Sequence, residues 1–471
     1  MEYQFNRLEE EEFNSTKLDE EQFSLEYSQI NIYDKIIQEE EDSDGQNINI
    51  PEKDKYDFNS TIITVVKTIL GSGLLAFPYL FKTFGIFYGI VLLIIIGIVT
   101  IYSVELLLIC KDITKKYGYS MYGKITLGLF GSLLVKFLII SLNFGISCMC
   151  LKIFGDSMEN LMKTIITNNN SLLVKNYLYE ILVSIFLFPI ILKDNMAILN
   201  KISKIGIFGV IIFLSLFIYI IFIKFSSGNY KYNYQMFFTS NPNEGKIEII
   251  SCIPTIILSF AFQFNLFPIY FSIKQRNNNK MLSATKVAIF IIIFLYSFVG
   301  MFGYMIYNDN TKVLLLDNFK EDITEFYNKK SGFKVFFYII GISSYLFSVI
   351  ITIPLLFFGA KKHSYNLLLL YKKRKNYSSY LNDKEKKIID YTLFISIIII
   401  SISVKNIMSL FNFLGSNNIS FICFILPSIF TLILFKKNRI EKGKNKAYIV
   451  LSIGIIGLLS FYINELYHKM N

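Results

Sequence analysis

Between residues 59 and 464 the chain alternates long apolar runs with short polar connections, most of them basic. A helix needs about 20 apolar residues to cross about 30 Å of hydrocarbon. Eleven runs approach or exceed that length, near residues 61 to 83, 86 to 110, 132 to 154, 177 to 192, 205 to 224, 249 to 273, 285 to 307, 334 to 358, 388 to 404, 407 to 435 and 447 to 464. The pattern predicts an all-α, multi-pass membrane protein of eleven transmembrane helices. The fourth run is short, and the tenth is long and interrupted by Gly415-Ser416-Asn417-Asn418.

Two runs are broken at their centres. Gly71-Ser72-Gly73 interrupts the first, and Gln263, Asn265 and Pro268 interrupt the sixth. A backbone group left unpaired in hydrocarbon is costly, so a broken helix persists only where its freed N–H and C=O groups line a cavity. Glycines also serve as packing points in membrane helices, but a matching break in the sixth span favours a site. First and sixth are corresponding positions of two five-helix halves, which is the sequence pointer to an inverted-repeat secondary transporter with a midplane site. A half-helix N-terminus offers free amides to an anion. The amides of Gly71, Ser72 and Gly73 therefore suit a carboxylate, and carbonyls near Leu258, Ser259 and Phe260 suit the amino group of the same molecule. Such a site prefers an α-amino acid.

Charge is sorted along the chain. Residues 1 to 58 hold 18 Asp/Glu and 5 Lys/Arg, so the overall +11 hides two regions of opposite sign. This acidic, polar segment cannot bury enough apolar surface to fold and is expected to be a disordered cytoplasmic tail. Its "YSQI" and "YDKI" resemble sorting signals, a weak pattern. With the N-terminus cytoplasmic, the inner loops collect 26 Lys/Arg, more than twice the outer number, which agrees with the positive-inside rule and puts the C-terminus outside. The sequon Asn169-Asn170-Ser171 then falls outside. The expected domains are this tail (1–58), a transmembrane transporter domain (59–464) and a short C-terminal tail (465–471).

The basic residues sit in short loops, so the partner is a lipid bilayer rather than nucleic acid. The five cysteines fall in or beside apolar runs and behave as small hydrophobes, with no disulfide framework or metal-ligand spacing. No cofactor is implied, and the N-terminus lacks the basic and apolar regions of a signal peptide.

"GSGLLAFPYLFKTFG" resembles the first-helix signature of the amino acid/auxin permease family. "FAFQFNLFPIYFSIKQRNNNKM" resembles that family's sixth helix, "YSVELLLICK" its second and "ISFICFILPS" its tenth. The resemblance covers residues 59 to 464. It implies a LeuT-like five-plus-five core with one further helix, moving neutral or cationic amino acids by alternating access, in the plasma membrane or a vacuolar/lysosomal membrane.

Lys67 stands one helical turn before Gly71, on the same face as the break. In the sodium-coupled branch of the family the matching residue is typically an asparagine that helps bind the ion, and in the proton-coupled branch a lysine. Lys67 therefore reads as a built-in cation bracing span 1 against span 8, with Ser344, Ser348 and Thr352 as candidate partners. Proton exchange on Lys67 and a lysine that reaches back to the inner surface are the other readings. Proton-coupled relatives tend to carry a histidine three residues before that lysine, where this chain has Thr64. Its two histidines, His363 and His468, are expected in a loop and the tail, so protons and facilitated uniport both stay open as modes of sodium-independent transport.

Asn143, Phe262 and Phe264 join the expected pocket, Glu105 is expected near the inner interface, and Lys136 and Lys152 are expected to extend to the span ends. An intramembrane enzyme needs a nucleophile with a base, or metal ligands, at membrane depth, and these runs supply no histidine for one. No selectivity-filter or arginine-repeat pattern suggests a channel. The alternative of another class is an amino-acid receptor whose acidic tail engages a cytoplasmic partner.

Overall fold

The computed structural model describes residues 55–165, 175–192, 196–226, 236, 245–328, 332–374, 381–441 and 443–470. The segment up to residue 54, with "YSQI" and "YDKI", and the sequon at 169–171 lie outside the described residues. Among the described residues there is no strand, only a parallel bridge between Tyr56 and Ile273. Asp57 caps the first helix, α1 (Phe58–Ile69), by accepting the Ser60 amide at 3.1 Å.

Helix α1 stops where Leu70 leaves helical geometry and Gly71 is extended. A 3₁₀ turn (Ser72–Ala76) leads into α2 (Phe77–Phe84), with Pro78 in its first turn where no helical N–H is needed. The two halves meet at 57°. Gly85, at φ 78°, then turns the chain into α3 (Ile86–Thr114).

The other elements are α4 (Tyr119–Ile165), α5 (Asn176–Ile191), α6 (Met196–Ser226), α7 (Gly245–Ser259), α8 (Leu266–Phe271), α9 (Asn278–Tyr307), α10 (Leu315–Asn328), α11 (Gly332–Arg374), α12 (Asp383–Ser403), α13 (Ile407–Phe413), α14 (Leu426–Asn438) and α15 (Lys444–Met470). Eight of the described helices are long and apolar enough to cross a membrane, or nine if the bent pair α1–α2 is one span. Helices α5, at 16 residues, and α12 fill the other two expected segments.

The structure departs from the expected boundaries in four places. Gly128, at φ 70°, splits α4 and leaves a short leading helix in what was expected to be loop. Helix α11 runs on to Arg374, so His363 is helical rather than in a loop. "GSNN" is not a break but the start of a π-helical stretch (Leu414–Ile425) joining α13 to α14. Helix α15 continues to Met470, through the expected tail.

Helix α9 packs against α1, α2 and α3, while α11 packs against α4 and α6, with α5 and α12 on α4. The π stretch and α15 hold α7 from behind. At one end of the bundle Tyr56 exchanges backbone hydrogen bonds with the strand-like stretch after α8: its amide donates to Ser272 O at 2.6 Å and its carbonyl accepts from Lys274 at 2.9 Å. At the other end α10 is seated by Asp322, which accepts from Lys224 of α6 (2.6 Å), Tyr307 of α9 (2.6 Å) and Tyr338 of α11 (3.0 Å).

Candidate transport site

The second break follows the same logic as the first. Helix α7 ends at Ser259, residues 260 to 262 are non-helical, and a 3₁₀ turn (Gln263–Asn265) restarts the chain into α8. Pro268 lies in the first turn of α8, where its missing N–H is harmless. The Gln263 side chain folds back to accept the Phe262 amide at 2.9 Å.

The two breaks touch. A Cβ on Gly73 would sit 2.3 Å from Ser259 Oγ and 3.0 Å from Ser259 Cβ. Only a residue without a side chain permits this approach. Gly71, two residues earlier, is exposed, and a Cβ there would meet no atom closer than 4.0 Å. The backbone of Gly71 thus borders open space, while Gly73 abuts the other broken helix.

Two tyrosines hold the loosened carbonyls. The Tyr345 hydroxyl, from α11, donates to Gly71 O at 2.8 Å. The Tyr296 hydroxyl, from α9, lies 3.1 Å from Ile69 O and 3.0 Å from Ser259 O, the last carbonyls of α1 and α7. This corrects the expected unpaired carbonyls: Ser259 O faces Tyr296, and Leu258 O accepts the Ala261 amide at 3.2 Å. Phe260 and Phe262 are fully buried and Phe264 half-buried around the second break. A cleft of about 600 Å³ opens elsewhere, beside Asp57, Thr61, Lys274 and Lys280 at the start of α1.

Lys67 lies in the last turn of α1, half-buried, with no hydrogen-bond or ion-pair partner among the described residues. The expected partners are engaged elsewhere. Ser344 donates to Gly341 O (2.8 Å) and Thr352 to Val349 O (2.6 Å), both within α11. Ser344 and Ser348 face Gly209 and Gly206 of α6. Asn143 likewise donates to Ile139 O of its own helix at 3.0 Å and packs on Gly359, so it joins α4 to α11 rather than lining the breaks.

Two lysines depart from the reading of the sequence. Lys152 does not extend to the surface: it is buried, 2.9 Å from Asp156 and 3.9 Å from Glu180, whose second oxygen accepts from Ser401 at 2.5 Å. Lys136 is fully buried. Glu105 pairs with Lys446 of α15 at 2.5 Å. All five cysteines are free and buried. Among the described residues no cluster of His, Cys, Asp or Glu could hold a metal ion.

Sequence reasoning passed over Tyr296 and Tyr345. A buried phenol in an otherwise apolar helix needs a partner for its hydroxyl, which is the one signal that could have picked them out.

The chain is 24% identical to the sodium-coupled neutral amino acid symporter 2 of Danio rerio, over 88% of this chain and 83% of that one. It is 23% identical to the vacuolar amino acid transporter 2 of Saccharomyces cerevisiae (85% and 82%) and 23% identical to the amino acid transporter AVT6E of Arabidopsis thaliana (84% and 81%). Among solved structures, that of MhsT in complex with L-phenylalanine aligns with a TM-score of 0.46 at 13% identity, over 88% of this chain and 99% of that one. A sequence model of the family described as transmembrane amino acid transporter protein matches residues 55–464. With that match over most of its length, the chain belongs to the amino acid transporter family of the amino acid/auxin permeases and is a multi-pass membrane transporter, not an enzyme.

Proposed function

We propose that this protein carries an α-amino acid, neutral or cationic, between the two broken helices, by alternating access and without sodium. The observation that supports it most is the contact of Gly73 with Ser259, which brings two mid-span breaks to one place. The exposed backbone at Gly71 begins the second half of span 1, where free amides and the helix dipole favour a carboxylate. The carbonyl ends of α1 and α7 converge on Tyr296 and favour a positive group. An amino acid carries these two charges on one carbon.

Lys67 takes the place of a coupling cation. Its ammonium sits in the last turn of α1, where the carbonyl end of the helix favours a cation. The span 8 hydroxyls once expected to hold it bond to their own helix or face α6, so the braced partner is the broken end of span 1 itself. A permanently placed ammonium removes the need for sodium, leaving proton symport or uniport. The five-plus-five repeat, a cytoplasmic N-terminus and a tail that meets cytoplasmic partners complete the reading.

The test is uptake of a panel of labelled amino acids by purified protein in liposomes, with sodium and pH gradients imposed separately and Lys67→Asn alongside. Sodium-independent uptake that is lost in the variant is expected, and the pH gradient separates symport from uniport. Uptake that requires sodium and survives the substitution would overturn the role of Lys67. No uptake of any amino acid would overturn the transporter reading and leave the receptor.

A further inference from the structure

Glu180 is a carboxylate without a full set of partners. It lies one turn inside α5 and is entirely buried. Its Oε2 accepts from Ser401 of α12 at 2.5 Å. Its Oε1 has no hydrogen-bond partner among the described residues. Lys152 Nζ of α4, its nearest cation, is 3.9 Å away, beyond hydrogen-bond reach. Lys152 is held instead by Asp156, one turn further along α4, at 2.9 Å. Gly155 makes room for the carboxyl, since a Cβ there would lie 2.8 Å from Oε1.

Few groups face this carboxyl. Helix α4 presents Lys152, Asp156 and the Cys148 thiol, and among the described residues α12 presents the Ser401 hydroxyl. Tyr177 and Tyr179 neighbour it on α5 itself. Helix α11 meets the far end of α5, where Lys361 donates to Ile191 O at 3.3 Å. Two carboxylates thus share one ammonium, which leaves a surplus negative charge in a buried place, where it is costly. One proton on Oε1 removes the surplus. Asp156 is partly exposed and lies near Asp317 of α10, so protons have a way in from the end of the bundle that α10 closes.

The Ser401 contact reaches the second break. Ser401 is in the last turn of α12, and residues 404 to 406 lead from there into α13. Asn412 of α13 accepts from the Thr255 hydroxyl of α7 at 2.9 Å. The Thr255 carbonyl accepts in turn from Ser259 Oγ, at the break itself, at 2.8 Å. A hydrogen bond to a carboxylate is about twice as strong as one to a neutral group, so the charge on Glu180 sets how firmly the end of α12 is held.

We propose that Glu180 is a proton-binding site that controls the rate of transport. Without the proton it pins α12 to α5 and slows the movement of the second break, and with the proton it loosens the pin. The proton comes from water at the α10 end and returns there. The inference rests on the transport reading above.

The test uses full-length protein in liposomes and the labelled amino acid that the wild type carries best. Exchange of labelled for unlabelled amino acid is measured with the same pH on both sides, at about pH 5 and about pH 8, for the wild type, Glu180→Gln and Ser401→Ala. Failure of the transport reading is seen first and separately, as no exchange of any amino acid by the wild type. The expected wild-type rate is about five- to tenfold higher at the lower pH, the difference between a hydrogen bond to a charged and to a neutral acceptor. Glu180→Gln is permanently uncharged, and Ser401→Ala keeps the carboxylate but removes the pin. Both should run near the faster rate at both pH values. A merely structural Glu180 would lower yield, or slow exchange equally at both pH values, and leave the ratio intact, which overturns the proposal. So does a wild-type rate that is the same at the two pH values, or a full pH ratio in Ser401→Ala. If Glu180→Gln does not fold, Ser401→Ala decides alone.

Discussion

Replacing Gly73 with alanine tests the contact between the breaks. The new methyl carbon would lie 2.3 Å from Ser259 Oγ, 3.0 Å from its Cβ and 3.4 Å from its Cα. Rotating the serine hydroxyl away removes the first clash, but it also breaks the bond from Ser259 Oγ to Thr255 O, now 2.8 Å, at a cost of about 1 kcal/mol. The approach to Cβ is untouched by that rotation, so the backbone of one break must also shift. Overpacking of this kind costs about 1–3 kcal/mol, so Gly73→Ala should disfavour the closed arrangement of the breaks by about ten- to hundredfold. Uptake in liposomes should fall accordingly, while the thermal midpoint of the solubilised protein falls by a few degrees at most. Adding Ser259→Gly removes both close atoms and should restore uptake, whereas Ser259→Ala, which keeps the Cβ, should restore it only in part. Full activity of Gly73→Ala alone, or no rescue by Ser259→Gly, would refute the contact.

Two further predictions concern α10, the amphipathic helix that closes one end of the bundle. Asp322→Asn removes the charge that Lys224, Tyr307 and Tyr338 share, and breaking a buried pair costs about 3 kcal/mol. Hydrogen exchange across residues 315–328 should accelerate by about a hundredfold, and unchanged protection would show that the carboxylate does not seat the helix. Asp317, outside the spans, has its carboxyl pushed up to about 6 by burial and by the nearby Asp156, against the opposing pull of Lys320, Asn160 and Lys312. Because the folded value is raised, its contribution to docking is complete below about pH 4 and is lost as pH rises through about 6. Protection of α10, corrected for intrinsic exchange rates, should therefore be greater at pH 5 than at pH 7. Asp317→Asn should flatten that dependence, and an equal dependence in the variant would contradict the assignment.

The spans and both breaks were legible because they depend on patterns that the bilayer enforces: long apolar runs, and glycine or polar residues where a helix must stop. The pairing of the first and sixth spans followed from position alone. Other features depend on partners distant in sequence. Tyr296 reads as one aromatic in an apolar run until Ile69 and Ser259 are brought to its hydroxyl. Lys152 was expected to reach the surface because Glu180, on another span, was not counted as its partner. Ser344, Ser348 and Thr352 have the right spacing to face α1, but Gly206 and Gly209 of α6 take up Ser344 and Ser348, and Thr352 lies beside Cys150 of α4. Helix α10 has no apolar run to announce it, since its fourteen residues divide into a buried stripe and a polar one. His363 lies in helix because α11 continues well past the expected end of its span.

The most direct test of the paired breaks asks whether they hold both charges of one substrate. Uptake of the preferred labelled amino acid should be competed by the unlabelled compound, by the amine that remains when its carboxylate is removed, and by the α-hydroxy acid that lacks its amine. Amides at Gly71 to Gly73 and carbonyls at Ile69 and Ser259 predict that each truncated compound competes at least about a hundredfold more weakly than the amino acid, since each leaves one set of polar groups at the breaks unpaired. Competition by either compound at the strength of the amino acid itself would contradict a site built from the two broken helices.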